Sequence, residues 1–321
     1  SRIRFHEIGL ATDKISKKSL QFFLQRMEEI LLDIKPDIAI AIELGHSKYL
    51  YKVKDASKKI IEIHFSKYKR KTTLAKIDSS WWGKMIAHCF TYNKLRHLRQ
   101  YDKVVVLTHE DRKHWYELDN VTVIHNMVPT VNYTSQIDYA SKQIIGVGRY
   151  TGQKGWEYMI RIWAKIAQYY PDWRVMIYGS GHKKAMLSKM IQEYGLEDSF
   201  ILNSPVKGML KEYLKSSIFV STSRYEGQPM VLLEAMNAGL APISFTYQCG
   251  PRDIICDGEN GLLVDLFDVD TFAQKLTQLM DSEERRRSIG QKARQSLNRF
   301  SEDVVIEQWI NLFNSLCKKT N

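Results

Sequence analysis

Residues 217–245 read SIFVSTSRYEGQPMVLLEAMNAGLAPISF. Ile218–Thr222 is short and β-branched, which predicts a strand. Pro229 follows where the first position of a helix is expected, and the helix extends over Pro229–Ala238. Ala241–Phe245 then returns as a second strand. The same rhythm continues upstream, with strands at Ile144–Gly148 and Arg174–Gly179 and helices near Trp156–Tyr169 and Lys183–Tyr194. Downstream it gives a strand at Gly261–Val264, a helix at Thr271–Met280 and helical sequence from Glu283 to the end. The first part of the chain repeats it, with strands at Ile38–Ile42, Ile60–Phe65, Val104–Leu107 and Val121–His125. Helical patterns there cover Leu20–Ile34 and Trp81–Leu98. Such alternation predicts an α/β protein with parallel, doubly wound sheets.

The rhythm stops at Asn126-Met127-Val128-Pro129, and the polar stretch Thr130–Lys142 has no period. The expected organisation is therefore a Rossmann-like domain over 1–128, a linker over 129–142, and a second Rossmann-like domain over 143–300. A last helix over 301–321, around Val304–Cys317, is expected to follow. Two such domains favour a ligand cleft at the carboxyl ends of both sheets. The first is short, and Ile3-Arg4-Phe5 reads as a strand that is not the fold's first. The chain also lacks an initiator methionine. Both features predict that it starts inside a longer protein with a truncated N-terminal domain.

The 321 residues are 44% hydrophobic and 26% charged, which excludes wholesale disorder, and no apolar run reaches spanning length. The formal charge is +11, concentrated in residues 1–140, where 24 basic residues face 16 acidic ones. An anionic partner is expected. Cys89, Cys249, Cys256 and Cys317 form no CxxC, so neither a zinc site nor a disulfide framework is expected, and a reducing cytosol is the simplest compartment.

Two loops carry chemistry. In Ser223–Ala235 (SRYEGQPMVLLEA), Gly227 would admit a ligand close to the backbone, and the amides of Met230 and Val231 would point out of a helix N-terminus towards a phosphate. Glu226 precedes that helix, and Glu234, little more than a turn inside it, can present a carboxylate to hydroxyls. In Gly146-Val147-Gly148-Arg149 followed by Lys154-Gly155, a guanidinium and an ammonium in one helix-opening loop suit a diphosphate. A solvated basic turn is the alternative for the second loop, and a capped helix with surface carboxylates for the first.

Together the phrases GVGRYTGQKGWEYMI, SIFVSTSRYEGQPMVLLEAMNAGLAPISF and GPRDIICDGENGLLV resemble the donor half of glycosyltransferases with the two-Rossmann (GT-B) architecture. The resemblance is to family 4, retaining enzymes that use nucleotide sugars, and spans roughly residues 36–315. Glu226 to Glu234 matches that family's EX7E motif. The resemblance implies that Arg149 and Lys154, with Gly148, hold the donor diphosphate. Glu226 would face the reacting sugar, Glu234 would hold the ribose, and the Met230 and Val231 amides would cap the distal phosphate. Backbone near Val206 would meet the base, although Asn203-Ser204-Pro205 departs from the family's glycine there. His64, after the second strand, matches a histidine that supports the cationic transition state. No metal and no cofactor are implied beyond the nucleotide sugar, with UDP-sugars favoured. The acceptor would be a glycan or lipid-linked glycan, as in polysaccharide synthesis. A nucleotide-sugar epimerase of the same fold, or a non-catalytic nucleotide-sugar-binding protein, is the alternative.

Other features are read as structural. Asp268-Val269-Asp270 is expected to cap a helix rather than bind metal, the Thr-His-Glu-Asp setting of His109 to be an N-cap with acidic first-turn residues, and His125 to be structural. Gly179-Ser180-Gly181 is either a phosphate loop or a helix-start turn. Residues 58–103 hold twelve basic residues against three acids, with Trp81-Trp82 among them. They suit docking on an anionic bilayer, or equally a solvated helix face over core tryptophans. No recognised nucleic-acid-binding module accompanies them, so the expected location is cytoplasmic, peripheral on the inner face of a membrane.

Overall fold

The structure is a computed structural model that describes residues 16–67, 92–128 and 137–317. It divides into two compact units, one comprising residues 1–124 with 306–321 and the other residues 125–305. The strand expected at Ile3–Phe5 and the tryptophans Trp81 and Trp82 lie outside the described residues, as does the middle of the basic stretch, residues 68–91.

The first unit begins with helix α1 (Lys17–Ile34), which opens on a reciprocal Ser16–Ser19 capping box. Strands β1 (Ile38–Ile42), β2 (Lys58–Ile63), β3 (Lys103–Val106) and β4 (Val121–Val123) form a parallel sheet in the order β1-β2-β3-β4. Residues 92–98 are helical, and the short helix α2 (His109–His114) follows β3. Its Thr-His-Glu-Asp start is N-capped as expected: the Thr108 side chain accepts from the Asp111 amide at 3.1 Å, with Glu110 and Asp111 in the first turn. Buried Asp111 in turn accepts from Trp115 Nε1 at 3.1 Å, so this helix start is anchored in the core.

The second unit contains a six-stranded parallel sheet. Its strands are β5 (Gln143–Val147), β6 (Arg174–Tyr178), β7 (Phe200–Asn203), β8 (Ile218–Ser221), β9 (Ala241–Phe245) and β10 (Leu262–Val264). Strand β7 escapes the sequence pattern because Phe200–Asn203 is a short edge strand with only Phe200 buried. The connecting helices are α3 (Trp156–Ile166), α4 (Lys184–Glu193), α5 (Leu210–Leu214), α6 (Met230–Ala238), α7 (Pro251–Ile254), α8 (Val269–Met280), α9 (Glu283–Gln295) and α10 (Glu302–Cys317). The unit boundary falls inside α10. Helical sequence from Glu283 onward is interrupted by a tight turn at Ser296–Phe300, where Arg299 donates to the Asp253 carbonyl at 2.7 Å.

Both faces of this sheet are covered, which is why its strands read as continuous apolar runs. Successive residues point to opposite sides. Ile144, Ile218 and Val220 pack with Trp156, Ile160 and Trp163 of α3 and Phe272 of α8. Ile145 and Phe219 pack with Leu232, Leu233 and Met236 of α6. Gly146 permits the close seating of α3, since a Cβ there would lie 2.8 Å from both Trp156 and Ile177.

The segment expected to be a free linker is tied down where it is described. The Asn126 amide donates to Gln228 Oε1 at 2.7 Å, and the Val128 amide to the Phe300 carbonyl at 2.8 Å. Ile137 and Tyr139 are buried, and the Arg286 guanidinium donates to the Tyr139 carbonyl at 2.7 Å. The boundary therefore falls before His125, ahead of the expected 129–142. These contacts join residues far apart in sequence and leave no periodicity to read. His125 packs edge-on against Phe300, a structural role.

Candidate functional site

The sheet order of the second unit is β10-β9-β8-β5-β6-β7. The chain starts at the middle strand β5, winds outward through β6 and β7, then returns to β8 on the other side. The carboxyl ends of β5 and β8 thus border the point where winding reverses, the position at which ligands bind in open α/β sheets. The Gly148–Gly155 loop leaves one strand there, and the 222–229 loop leaves the other.

The two loops are stitched together. The Arg224 amide donates to the Gln153 carbonyl at 2.8 Å, and Thr222 Oγ1 to the Lys154 carbonyl at 3.2 Å. Gly155 has φ 64°, and a Cβ there would lie 2.3 Å from the Thr222 carbonyl oxygen, so the loops meet backbone to backbone. At Gly148 the neighbour is a side chain: a Cβ there would lie 2.6 Å from Lys154 Cε. The stem of Lys154 therefore lies across Gly148.

Lys154 Nζ lies 2.8 Å from Glu226 Oε1, with both side chains largely buried. Glu226 Oε1 also accepts from Ser223 Oγ at 2.9 Å, and Oε2 from Gln153 Nε2 at 2.9 Å. The phosphate cation and the sugar-facing carboxylate expected from sequence thus engage each other directly. Arg149 is exposed, its Nη2 donating to Gln153 Oε1 at 3.3 Å. Gly227 follows Glu226 half-buried, and Tyr247 is fully buried with its hydroxyl 3.2 Å from Ser221 Oγ. Burial, and then the Glu226 charge, push the Tyr247 phenol up.

Helix α6 begins at Met230, with Pro229 as its N-cap rather than its first residue. The Leu232 and Leu233 amides reach back to the Pro229 carbonyl at 3.0 and 3.3 Å. The amides of Met230 and Val231 precede any intrahelical acceptor, so the positive end of the helix is open to an anion. Glu234 is half-buried one turn on and accepts from Tyr213 Oη at 3.2 Å. Burial raises its pKa, opposed by the Tyr213 hydrogen bond and the Lys154 charge.

That raised pKa has a stability consequence. A carboxyl with a higher pKa folded than unfolded binds more protons in the native state. Its ionisation therefore costs stability as pH rises from the unfolded value through the folded one. Glu234→Gln should accordingly raise the melting temperature at neutral pH, an advantage that disappears in acid. Paired melting curves at neutral and acid pH check both outcomes.

Val206 lies three residues beyond β7, exposed in the loop 204–208, and no described contact joins it to Lys154 or Glu226. Gly181 opens the turn that leads into α4, the Lys184 amide donating to its carbonyl at 3.2 Å. Gly179 presses on the β5 loop, where a Cβ would lie 2.1 Å from the Gly148 carbonyl oxygen. Asp268 caps α8, its side chain accepting from the Thr271 amide at 2.9 Å. Gln153, Ser223 and Tyr213 are site residues that sequence reasoning missed, because their partners are met only through the fold.

His64 belongs to the first unit and is the first residue after β2. Its Nε2 lies 3.2 Å from Glu62 Oε2, an ion-pair distance whose alignment falls short of a hydrogen bond. Close contact with Glu62 raises the imidazole pKa; burial opposes this, and the Glu62 charge adds to it.

Two parallel α/β units of this kind define the GT-B fold of glycosyltransferases. A mutant of TarM from S. aureus, solved with fondaparinux, alpha-GlcNAc-glycerol and UDP, superposes with a TM-score of 0.75 at 24% identity, covering 91% of this chain and 59% of that one. Residues 134–296, about half of the chain, match the family described as Glycosyl transferases group 1, and the protein belongs to that family. The amylovoran biosynthesis glycosyltransferase AmsD of Erwinia amylovora is 36% identical over 222 residues, which are 66% of this chain and 62% of that protein. A poly(ribitol-phosphate) alpha-N-acetylglucosaminyltransferase of Staphylococcus aureus is 29% identical over 217 residues, 66% of this chain and 44% of its own length. The chain thus matches less than two thirds of the length of these relatives. No helix among the described residues is long and apolar enough to cross a membrane.

Proposed function

We propose that this protein transfers a sugar, with retention of anomeric configuration, from a nucleotide sugar to a glycan or lipid-linked glycan in cell-surface polysaccharide synthesis. The Lys154–Glu226 pair beside the open amides of Met230 and Val231, at the switch point of the sheet, is the observation that carries this reading. Breaking a sugar–phosphate bond builds positive charge at the anomeric carbon and negative charge on the departing diphosphate. Arg149, Lys154 and the α6 dipole would stabilise the leaving group without a metal. Glu226 would position the sugar, and Glu234 the ribose. Retention would follow from acceptor attack on the face the diphosphate leaves, with a diphosphate oxygen taking the acceptor's proton. UDP-sugars carrying a hexose or N-acetylhexosamine are the favoured donors, supported by the UDP in the TarM complex.

A calorimetric panel of UDP-, GDP- and ADP-sugars, followed by nucleoside diphosphate release with and without glycan acceptors, tests the proposal. Release only with acceptor supports transfer. Acceptor-independent conversion of the sugar would mark an epimerase, and binding without turnover across the panel a binding module. His64 is proposed to support turnover: His64→Ala should lower it about tenfold while donor affinity stays level. An equal fall in affinity would remove His64 from the chemistry.

A further inference from the structure

Gln153 lies between the two groups to which the donor reading gives separate duties. Its Nε2 donates to Glu226 Oε2 at 2.9 Å and to the Tyr225 carbonyl at 3.1 Å. Its Oε1 accepts from Arg149 Nη2 at 3.3 Å, and its own carbonyl accepts from the Arg224 amide at 2.8 Å. The orientation of the side-chain amide is fixed by these partners. A carboxylate and a carbonyl can only accept, and a guanidinium can only donate, so a flipped amide would make none of the three side-chain contacts. One side chain therefore joins the cation at the mouth of the β5 loop to the carboxylate of the β8 loop. Lys154 and Ser223 both hold Oε1 of Glu226, which leaves Gln153 as the partner of Oε2 among the described residues.

We propose that Gln153 is a positioning residue that couples diphosphate binding to sugar recognition, by holding the Arg149 guanidinium and the Glu226 carboxylate in one hydrogen-bonded unit. The inference rests on the donor-site reading above. An Arg149 drawn onto a diphosphate pulls on Oε1 of Gln153. The opposite end of the same planar amide then sets the angle at which Glu226 meets the sugar. Without Gln153, Glu226 keeps Lys154 and Ser223 on Oε1 but its Oε2 is released to turn about them, and the two halves of the donor are read independently.

The test uses the intact chain and calorimetry with UDP and with UDP-N-acetylglucosamine, UDP-glucose, GDP-mannose and ADP-glucose. The wild type is expected to bind a nucleotide sugar more tightly than its parent nucleotide, and this ratio measures sugar recognition. Gln153→Ala should reduce the ratio about tenfold, a single charged hydrogen bond's worth. Gln153→Glu keeps the acceptor for Arg149 but sets a second carboxylate against Glu226. It should hold nucleotide affinity near wild type while abolishing the preference for the sugar. A residue that merely stabilised the loop would lower both affinities together in both variants, which would overturn the proposal. A double-mutant cycle adds a second reading: Arg149→Ala and Glu226→Ala should be non-additive in the wild type and additive in the Gln153→Ala background. Additivity in both backgrounds would also overturn it. If the wild type binds none of these nucleotides, the donor reading and this inference fall together. If it binds them and the ratio is unmoved in both Gln153 variants, the inference falls alone.

Discussion

Lys154→Ala is expected to lower affinity for a nucleoside diphosphate about 100-fold and turnover by at least as much. The Lys154 side chain is 13% exposed and its ammonium lies 2.8 Å from Glu226, so little water screens it. A charge-assisted hydrogen bond in such a setting is worth about 1.5–3 kcal/mol, or roughly ten- to 150-fold in binding. Removing a group aimed at developing negative charge typically costs about 100-fold or more in turnover. Lys154→Arg should recover part of the binding, because the charge returns with a planar head and altered reach. Calorimetry with UDP and single-turnover release from a UDP-sugar give both numbers. Unchanged UDP affinity in Lys154→Ala would remove the residue from the phosphate site.

The second large effect is on stability. Gly155→Ala should cost about 3 kcal/mol, from two sources: a left-handed backbone at φ 64° and a Cβ placed 2.3 Å from the Thr222 carbonyl oxygen. Gly195→Ala supplies the internal control. Its φ is 63°, with nothing within 4 Å of the added Cβ, so it carries the backbone strain alone, about 1–2 kcal/mol. Urea titrations of both variants isolate the contact between loops by difference. Gly155→Ala should also weaken nucleotide binding in its folded fraction, because the displaced loop carries Lys154. Equal losses in the two variants would show that the β5 and β8 loops do not meet as closely as described.

Much of the fold was legible because its causes are local. Ile218–Ser221 and Ala241–Phe245 are buried throughout and mostly apolar since both faces of their sheet are covered, and the amphipathic pattern of Trp156–Ile166 follows from packing one face of a helix on that sheet. The helix start was visible in Gly227 to Val231, although the first helical residue proved to be Met230, with Pro229 as the cap. Strand β7 was not legible, because a short edge strand is half solvated and loses the apolar run that identifies its neighbours. Residues 137–142 looked like free linker because Tyr139 and Arg286 stabilise that segment through a hydrogen bond across 147 positions.

Sequence by itself determined the alternation of strands and helices, and which residue types stand at the carboxyl end of each strand. Periodicity records which side of an element is buried, and loop residues record their own backbone needs. The tertiary structure alone decided the strand order β10-β9-β8-β5-β6-β7, and with it the meeting of the two loops. Lys154 facing Glu226, Gln153 reaching across to Glu226, and Tyr213 donating to Glu234 all follow from that order. The physical reason is that strand pairing is non-local: many orders satisfy the same pattern of burial, and only packing of both helical layers selects the one that brings these side chains together.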